Sequence, residues 1–489
     1  MNKKPNLLFI FTDEQAAKTM KAYGNDTINT PNMDKLAKDS IVFKNAYVSQ
    51  PVCTPSRSTI MTGLYPHTNG CVKNNIPLRP DIGCLPELAD FHDYKTAYYG
   101  KWHLGDEVFR QHGFDDWRST EEYEKYYSEG RDHKKRSDYA EYLVSLGYEP
   151  DVVDKNGVGR FSRAFCARLP EEHGKPAFTA KKACKFIKEN KDNPFVLYVN
   201  FLEPHMPYFG PRDDQYDPEK IPLPESFYHE LSFNTTLKNK LNRLHSYYEE
   251  GLKTEADWKA LVARYWGLVS LVDTCLGKIL DTVEECGLNE NTIIVYTSDH
   301  GDMMGAHRMI AKGTMFEESV KVPLILKIPG IKKITTEKPV SQVDLVPTLL
   351  DAMGKEIPDQ LQGFSWIPFL EGKSDLEEKD VYIEWNGLNG KYSEKQEQLK
   401  IPEFWKKVAD VDDILKSMSD YIRTIVTHDG WKLCWSKIGE NELYNLKEDP
   451  NELNNLVLNP EYKPLINELK ERIGKWQKRT GDNVDLSNR

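Results

Sequence analysis

The chain has 489 residues, of which 39% are hydrophobic, 29% charged and 11% aromatic. This composition excludes a collagen-like repeat, a coiled-coil rod and a mainly disordered chain. The net charge of −11 argues against a nucleic acid partner, because an acidic surface repels phosphate backbones. No apolar run reaches the ~18 residues of a membrane span, so we expect none. The eight cysteines include no C-x-x-C pair and predict neither a zinc module nor a disulfide framework.

A short basic segment at the start of the chain is followed by an apolar stretch at residues 6–12. That stretch is only about seven residues long and runs directly into Asp13 and Glu14, unlike the apolar region of a signal peptide. We therefore expect it to form the first buried strand. The compartment stays open: periplasmic or extracellular if a signal was removed, and otherwise cytoplasmic.

Short apolar runs alternate along the chain with longer amphipathic segments, which is typical of βαβ units and of a parallel sheet covered on both faces. The predicted strands are residues 7–12, 96–99, 195–201, 292–297 and 323–328. The predicted helices are residues 30–39, 177–190, 258–286 and 341–353. The predicted fold class is therefore α/β, a sandwich with a mostly parallel central sheet flanked by helices.

The pattern changes after Gly372, where short alternating runs replace the long helical segments. The predicted strands of this part are residues 381–385, 421–427 and 431–435. Asp429-Gly430 predicts a hairpin turn between the last two strands, and a helical pattern at residues 462–479 closes the chain. We therefore predict an N-terminal catalytic domain over residues 1–372 and a smaller C-terminal α+β domain with an antiparallel sheet over residues 373–489.

Two polar stretches interrupt these patterns, at about residues 115–175 and 386–412. The first is rich in Glu, Tyr, Lys and Arg, which is typical of a solvated insertion; a segment that covers bound substrate is the alternative. Some of its aromatic and basic residues are candidates for contact with a sugar, with ordinary surface packing as the alternative. These are Trp117, Tyr123, Tyr126, Tyr127, Arg131 and Arg160.

One cysteine begins the string C-T-P-S-R-S-T-I-M-T-G, which runs from Cys53 to Gly63. Pro-Ser-Arg can open a helix and present Cys53 at its N-terminus, where backbone N–H groups favour an anion and Arg57 adds positive charge. The string is similar to the signature of type I sulfatases. The resemblance implies an alkaline-phosphatase-like fold and a Cys53 that a formylglycine-generating enzyme oxidises to Cα-formylglycine. The hydrated aldehyde would attack sulfur and afterwards expel sulfate.

Hard oxygen ligands follow two of the predicted strands. Asp13 and Glu14 follow the first strand, and Asp299 and His300 follow the strand at residues 292–297. Ligands of open α/β sheets bind beyond the carboxyl ends of the strands, so these groups should converge and suit Ca²⁺, or Mg²⁺ with more water. The sulfatase resemblance implies that the same four residues form the metal site. We expect Asp299 to act also as base for the attacking hydroxyl.

Two assignments near these four residues have alternatives: the identity of the second acidic ligand and the role of Asp302. Sulfatases more commonly have Asp where this chain has Glu14, so Gln15 is the alternative metal ligand. Asp302 also follows the later strand, and the simplest role for an Asp at that point is to cap a helix.

Three further blocks resemble sulfatases and follow in the family's chain order. In G-K-W-H-L-G, the resemblance implies that Lys101 binds sulfate and that His103 takes a proton from residue 53 during sulfate release. These two side chains, two apart on an extended segment, should point the same way. His205, between two prolines that restrict its backbone, would contact the sulfate ester. Lys312 would donate to the bridging oxygen of the leaving group.

The motifs together predict a sulfatase, a sulfuric ester hydrolase that acts on a small-molecule or oligosaccharide sulfate ester. A carbohydrate sulfate, for example one derived from a glycosaminoglycan, is the preferred class because the insertions supply a wide polar rim. The alternatives are a phosphonate monoester or phosphodiester hydrolase of the same superfamily, a choline or aryl sulfatase, and a sulfoglycan-binding protein without turnover. The basic site residues and the cation would form an electropositive pocket in an acidic protein.

Overall fold

The computed structural model describes residues 4–122, 131–132, 134–376, 379–388 and 401–487. Its strands are β1 Asn6–Asp13, β2 Ile41–Tyr47, β3 Lys95–Gly100, β4 Asp116–Ser119, β5 Val152–Val153, β6 Gly159–Arg160, β7 Phe195–Pro204, β8 Thr292–Ser298, β9 Lys321–Lys327, β10 Thr335–Ser341, β11 Val381–Asn386, β12 Tyr421–Val426, β13 Trp431–Ser436 and β14 Glu442–Asn445. Its α-helices are α1 Pro31–Lys38, α2 Cys53–Thr62, α3 Pro66–Asn69, α4 Leu85–Leu88, α5 Asp138–Ser145, α6 Arg163–Ala167, α7 Lys175–Glu189, α8 Leu237–Tyr248, α9 Glu255–Glu285, α10 Glu317–Val320, α11 Leu345–Ala352, α12 Ile367–Leu370, α13 Val411–Met418 and α14 Lys463–Thr480. No helix in the described part of the chain is long and apolar enough to cross a membrane.

A central sheet of eight strands has the order β10-β2-β9-β8-β1-β7-β3-β4. β9 runs antiparallel to β2 and β8, and the other pairs are parallel. The five strands predicted for this part are present as β1, β3, β7, β8 and β9. Three further strands were not predicted: β2, which Lys44-Asn45 interrupts, and the edge strands β4 and β10. Edge strands need no continuous apolar run, because helices do not cover them fully.

Both faces of this sheet are covered. Along β1, Leu7, Phe9 and Phe11 belong to the core on one face, and Leu8 and Ile10 belong to the core on the other. This alternation follows from the two-residue period of a strand. Helices α2 and α11 pack on the first face, and α1, α7 and α9 pack on the second. The predicted α/β sandwich with a mostly parallel sheet is therefore confirmed.

The C-terminal part forms the predicted antiparallel sheet, in the order β11-β12-β13-β14. Gly430 has a φ of 93° in the turn between β12 and β13, a conformation that glycine adopts without strain. α14 covers one face, where Ile473 and Trp476 pack with Ile425 and Leu433. Strand β14 was not predicted. The domain boundary at residues 372–373 stays a prediction.

The polar insertion contains ordered structure, because α5, α6 and the β5–β6 hairpin lie within it. Tyr139, Leu143 and Phe161 form a small core of its own there. Trp117 packs in the main core, where its Nε1 donates to the carbonyl of Glu107 at 2.8 Å.

The other candidate sugar contacts divide into two groups. Arg160 is buried and pairs with Glu122 at 3.2 Å and with Asp154 at 3.0 Å, so its charge is used within the insertion. Arg131 Nε lies 3.5 Å from Asp106 Oδ2. The remaining candidates lie outside the described residues; they are Tyr123, Tyr126 and Tyr127.

Candidate active site

The first part of the site is a group of carboxylates at the carboxyl edge of the sheet. β1 and β8 are adjacent and parallel, and they end at Asp13 and Ser298. The backbone N–H of Glu14 donates to Asp299 Oδ1 at 3.0 Å, which joins the two strand ends. His300 Nε2 lies 3.7 Å from Asp13 Oδ1 and 3.5 Å from Asp299 Oδ1. The structure therefore brings together the acidic and imidazole groups expected at this edge.

Cys53 is the first residue of α2, and its side chain is buried at the N-terminus of that helix. Its Sγ lies 3.3 Å from His300 Nε2 and 3.8 Å from Asp13 Oδ1. Burial opposes ionisation of the thiol, but the charges of Lys101, Lys312 and His300 hold its pKa well below the ordinary value. This position therefore stabilises a negative charge, which is what an attacking nucleophile carries.

Arg57, one turn into α2, holds the acidic groups in place. Its Nε donates to Asp299 Oδ2 at 2.8 Å, and its Nη2 donates to Asp13 Oδ2 at 2.7 Å. Its Nη1 donates to the carbonyl of Lys101 at 2.8 Å and to Asn200 Oδ1 at 3.0 Å. These bonds commit the buried guanidinium to acceptors of the protein itself. Arg57 therefore positions the carboxylates and does not line the cavity described below.

Lys101 and His103 reach the same point from the loop after β3. Lys101 Nζ donates to Asp13 Oδ2. The His103 imidazole interacts electrostatically with Cys53, and its Nε2 hydrogen-bonds to Asn75 Oδ1 at 3.0 Å. The φ of His103 is 58°, so the expected extended segment is wrong, and the two side chains converge because the loop turns. Burial and the charge of Lys101 lower the pKa of His103 to about 4, so its imidazole is neutral at pH 7.

His205 and Lys312 share a carboxylate with each other. His205 Nε2 lies 3.4 Å from Glu14 Oε2, and Lys312 Nζ lies 2.9 Å from the same oxygen. Both peptide bonds to the prolines that flank His205 are cis, and its Nδ1 hydrogen-bonds to the carbonyl of Met206 at 2.8 Å. Burial and the charge of Lys312 lower the pKa of His205 to about 3. A neutral imidazole and a charged ammonium therefore lie side by side.

The carboxylates at the strand ends fit a metal ion. Ligand atoms of Asp13, Asp299 and His300 lie within 4.8 Å of one another, and so do those of Asp13, Glu14 and His205. Burial raises the pKa of Glu14 to about 8, and its Oε1 has no hydrogen-bond partner among the residues that the structure describes. A buried carboxylate oxygen of this kind is stabilised by a cation. Each group combines carboxylate oxygens with one imidazole, a set that suits a divalent ion.

Gln15 lies outside this cluster although it is next in sequence. Its side-chain amide donates to Thr19 Oγ1 at 2.9 Å, and its Oε1 accepts from the hydroxyl of Tyr296 at 2.6 Å. Both ends of the amide are therefore used away from the site. Of the two alternatives, Glu14 is the residue that reaches the cluster.

Asp302 does not cap a helix, so that expectation is wrong. Its Oδ1 accepts from the backbone N–H groups of Met304 and Ala311, each at 2.9 Å. Its Oδ2 accepts from the hydroxyl of Tyr208 at 2.6 Å. Through these bonds Asp302 fixes the loop that leads to Lys312. It caps no helix because no helix begins directly after it.

A cavity of about 820 Å³ opens onto Cys53, and its lining includes Lys101, His103, His205 and Lys312. Several lining residues were not anticipated. They are Asn75, Glu121, Arg163, Lys238, His245 and Trp385. No local motif distinguishes them from their neighbours in sequence, since they come from the segment between α3 and α4, from the insertion, from α8 and from β11. A cavity of this size can hold a sugar with its substituents.

A buried nucleophile position, a cluster that fits a metal ion and converging cations at a sheet edge are the arrangement of a hydrolase for an anionic ester. A family model described as Sulfatase matches residues 5–355, and one described as N-sulphoglucosamine sulphohydrolase, C-terminal, matches residues 305–414. The first match spans most of the chain. The chain therefore belongs to the sulfatase family and is a sulfuric ester hydrolase, as the motifs predicted.

Similar proteins agree with this assignment. An N-acetylglucosamine-6-O-sulfatase of Bacteroides thetaiotaomicron is 29% identical over 549 residues, covering 98% of this chain and 88% of that protein. A solved structure of a protein in complex with its substrate, D-glucosamine-2-N,6-O-disulfate, is 27% identical, has a TM-score of 0.75 and covers 100% of both chains. A phosphonate monoester hydrolase from Silicibacter pomeroyi is 22% identical with a TM-score of 0.77, covering 98% of this chain and 96% of that one. The alkaline-phosphatase-like fold is thereby confirmed.

Proposed function

We propose that this sulfatase hydrolyses the sulfate ester of a saccharide, and that its substrate is a sulfated amino sugar of the glycosaminoglycan type. The observation that carries this proposal is the cavity of about 820 Å³, whose lining includes Cys53 and the ammonium groups of Lys101 and Lys312. These two ammonium groups match the charge of a sulfate group, the neutral imidazoles of His103 and His205 can hydrogen-bond to it, and the remaining volume suits a sugar ring. The amino sugar is favoured because one relative is an N-acetylglucosamine-6-O-sulfatase and another protein binds a glucosamine disulfate.

The nucleophile belongs at position 53, where Cys53 Sγ stands for one hydroxyl oxygen of hydrated formylglycine. Once formed by a formylglycine-generating enzyme, that group supplies one hydroxyl to attack sulfur and a second whose deprotonation expels sulfate. The chain contributes the surroundings of this oxygen. The N-terminus of α2 and the charges of Lys101 and Lys312 favour an anion there.

The basic residues take three roles: proton transfer, sulfate binding and stabilisation of the leaving group. His103 lines the cavity together with Cys53 and is neutral at pH 7, so it accepts the proton released at position 53 during sulfate release. Lys101, which Asp13 holds, faces the sulfate oxygens. Lys312 and His205 lie where the bridging oxygen of the ester leaves. Negative charge develops on that oxygen as the S–O bond breaks, and the ammonium of Lys312 stabilises it.

The ligands that we assign to the metal ion are Asp13, Glu14, Asp299 and His300. Ca²⁺ is the preferred ion and Mg²⁺ the alternative, because carboxylate oxygens dominate the set. When bound, such an ion neutralises charge on the sulfate and on the attacking hydroxyl. The protein's part is to orient the ligands: Arg57 fixes two carboxylates, and His300 Nδ1 hydrogen-bonds to the carbonyl of Gly301 at 2.9 Å, which turns Nε2 to the cluster. Asp299 remains our candidate for the base that activates the hydroxyl.

Turnover of a matched panel tests the substrate class. The sulfate, phosphodiester and phosphonate esters of one chromogenic alcohol compare the reacting group, and choline sulfate and defined sulfated saccharides compare the alcohol. We expect the highest kcat/KM for a sulfated amino sugar. Faster phosphonate hydrolysis would establish the alternative superfamily activity, and turnover of aryl or choline sulfate without any saccharide would refute the substrate assignment.

Replacement of the nucleophile tests the mechanism. Cys53→Ala should abolish turnover and leave the circular dichroism spectrum unchanged, because the side chain is lost without a change of backbone. Cys184→Ala, at a half-buried cysteine of α7, is the matched control and should keep full activity. Mass spectrometry of the peptide that contains residue 53 checks its oxidation. Appreciable sulfatase activity of Cys53→Ala would contradict the mechanism.

A further inference from the structure

The cavity wall that α8 and β11 form carries two polar groups that have no role in the chemistry at position 53. Lys238 of α8 and Trp385 of β11 both line the cavity that contains Cys53. They are more than nine-tenths buried, with 6% and 5% of their surfaces exposed. Lys238 Nζ lies 3.1 Å from the centroid of the Trp385 ring. The two side chains therefore form one unit of this wall.

Apart from this cation–π contact, neither polar group has a hydrogen-bond acceptor or a counter-charge at ion-pair distance within the described ranges. Lys238 Nζ makes no hydrogen bond or ion pair there, and the Trp385 Nε1–H finds no acceptor. Asp420 and Glu442 attract the ammonium only from beyond ion-pair distance. The Asp420 carboxylate accepts from Ser436 Oγ at 2.6 Å, and the Glu442 carboxylate accepts from Tyr444 OH at 3.1 Å. Because a buried ammonium without a counter-charge destabilises a fold, burial lowers the pKa of Lys238 well below its ordinary value.

Other cations of the cavity lining differ from Lys238, because each pairs with a carboxylate of the protein. The pairs are Lys101–Asp13, Arg163–Glu121 and Lys312–Glu14. Lys238 therefore lacks a counter-charge from the protein, and an acidic group of a ligand can supply it and hold the amine in its protonated form. Ammonium and indole N–H groups are donors without an acceptor, so the group that fits both is rich in acceptor oxygens and negatively charged.

We propose that Lys238 and Trp385 bind a second acidic group, a sulfate or a carboxylate, of the same saccharide whose sulfate ester is cleaved at position 53. The ammonium forms an ion pair with this group, and the indole N–H donates a hydrogen bond to it. This inference rests on the proposed function, because it requires a saccharide in the cavity. It makes the α8 wall a specificity site that favours saccharides with two acidic groups.

The test compares three substrates and two variants of α8. N-acetylglucosamine 6-sulfate has one acidic group, glucosamine 2-N,6-O-disulfate adds a sulfate, and a uronate-linked N-acetylglucosamine 6-sulfate adds a carboxylate. Lys238→Met removes the charge at similar length, and Lys240→Met removes a partly exposed lysine of the same helix as a control. We expect the wild type to prefer one doubly acidic substrate and Lys238→Met to lose about tenfold to a hundredfold of that preference in kcat/KM. Trp385→Phe should lose a smaller part, because it removes a neutral donor only.

The outcomes separate the inference from the proposed function. A selective loss on the disulfate identifies a sulfate as the second group, and a selective loss on the uronate identifies a carboxylate; both support the site. Equal losses of Lys238→Met on all three substrates, or a wild type without preference, overturn it while saccharide turnover stands. An enzyme that cleaves an aryl sulfate and none of the three saccharides refutes the proposed function, and the site with it. Lys240→Met should match the wild type throughout.

Discussion

Arg57 offers a direct test of how the acidic cluster is held. Arg57→Met keeps an unbranched side chain of similar length in the same space but removes the charge. It deletes the hydrogen bonds to Asp299 at 2.8 Å and to Asp13 at 2.7 Å, and the two bonds that Nη1 donates. Two buried carboxylates then lose their shared counter-charge. Because Lys101 still bonds to Asp13, the larger effect should fall on Asp299.

The expected loss can be estimated from this arrangement. Removal of one partner of a buried ion pair costs about 3–5 kcal/mol, because the other charge stays buried without compensation. The entropy of unfolding is about 2.1 cal/mol/K per residue, which over 489 residues amounts to about 1 kcal/mol/K. The melting temperature should therefore fall by about 3–5 °C if the chain unfolds as one unit. Turnover should fall by about a hundredfold, because the carboxylates lose their positions.

Thermal unfolding at one scan rate is the assay, since large proteins commonly unfold irreversibly. Arg472→Met is the matched control: its guanidinium pairs with Asp380 at a partly exposed site, and the loss there should stay within about 1 kcal/mol. Added Ca²⁺ should narrow the gap between Arg57→Met and the wild type, because a cation that binds the native state compensates the excess negative charge. An Arg57→Met protein that melts with the wild type and keeps its kcat would refute this account of the cluster.

Three further predictions concern other parts of the molecule. Burial lowers the pKa of His67, but its 2.7 Å hydrogen bond to Glu384 outweighs burial, and the pKa in the folded protein lies above 6.5. The pair therefore stabilises the fold fully below pH 6.5, and this stabilisation is lost as the pH rises through the folded pKa. A plot of melting temperature against pH should show this step for the wild type and lack it for His67→Gln. An unchanged profile would contradict the role of this pair. Gly100→Ala sets a Cβ 1.9 Å from the carbonyl oxygen of Asn200 at a φ of 119°, so we expect a loss of about 3 kcal/mol or more in chemical denaturation, and equal stability would be inconsistent with this packing. Chelation of divalent ions should abolish sulfate ester turnover and Ca²⁺ should restore it; full turnover after exhaustive chelation would exclude the assigned metal site.

Strong local patterns made much of the fold predictable. The five covered strands of the central sheet have continuous apolar runs, because both of their faces are buried, and the hairpin at Asp429-Gly430 depends on a turn that four residues determine. The edge strands β4 and β10 were missed because their residues do not need to be apolar. Trp117 looked like a surface ring in a polar context, and only the packing of β4 beside β3 places it in the main core.

The same distinction between local pattern and tertiary packing applies to the candidate active site. The residues that meet at the carboxyl edge of the sheet could be predicted from the sequence, because they lie in short and recognisable strings around Cys53, Lys101 and Asp299; their catalytic and metal-binding roles stay predictions. Only the tertiary structure decided how they are used. In the structure Arg57 bonds to two carboxylates, the Glu14 carboxylate lies beside Asp13 while the Gln15 amide bonds elsewhere, and residues of α6, α8 and β11 line one cavity. These last residues are far apart in the chain, and their roles arise from burial and from the presence or absence of a counter-charge, which no single segment of sequence contains.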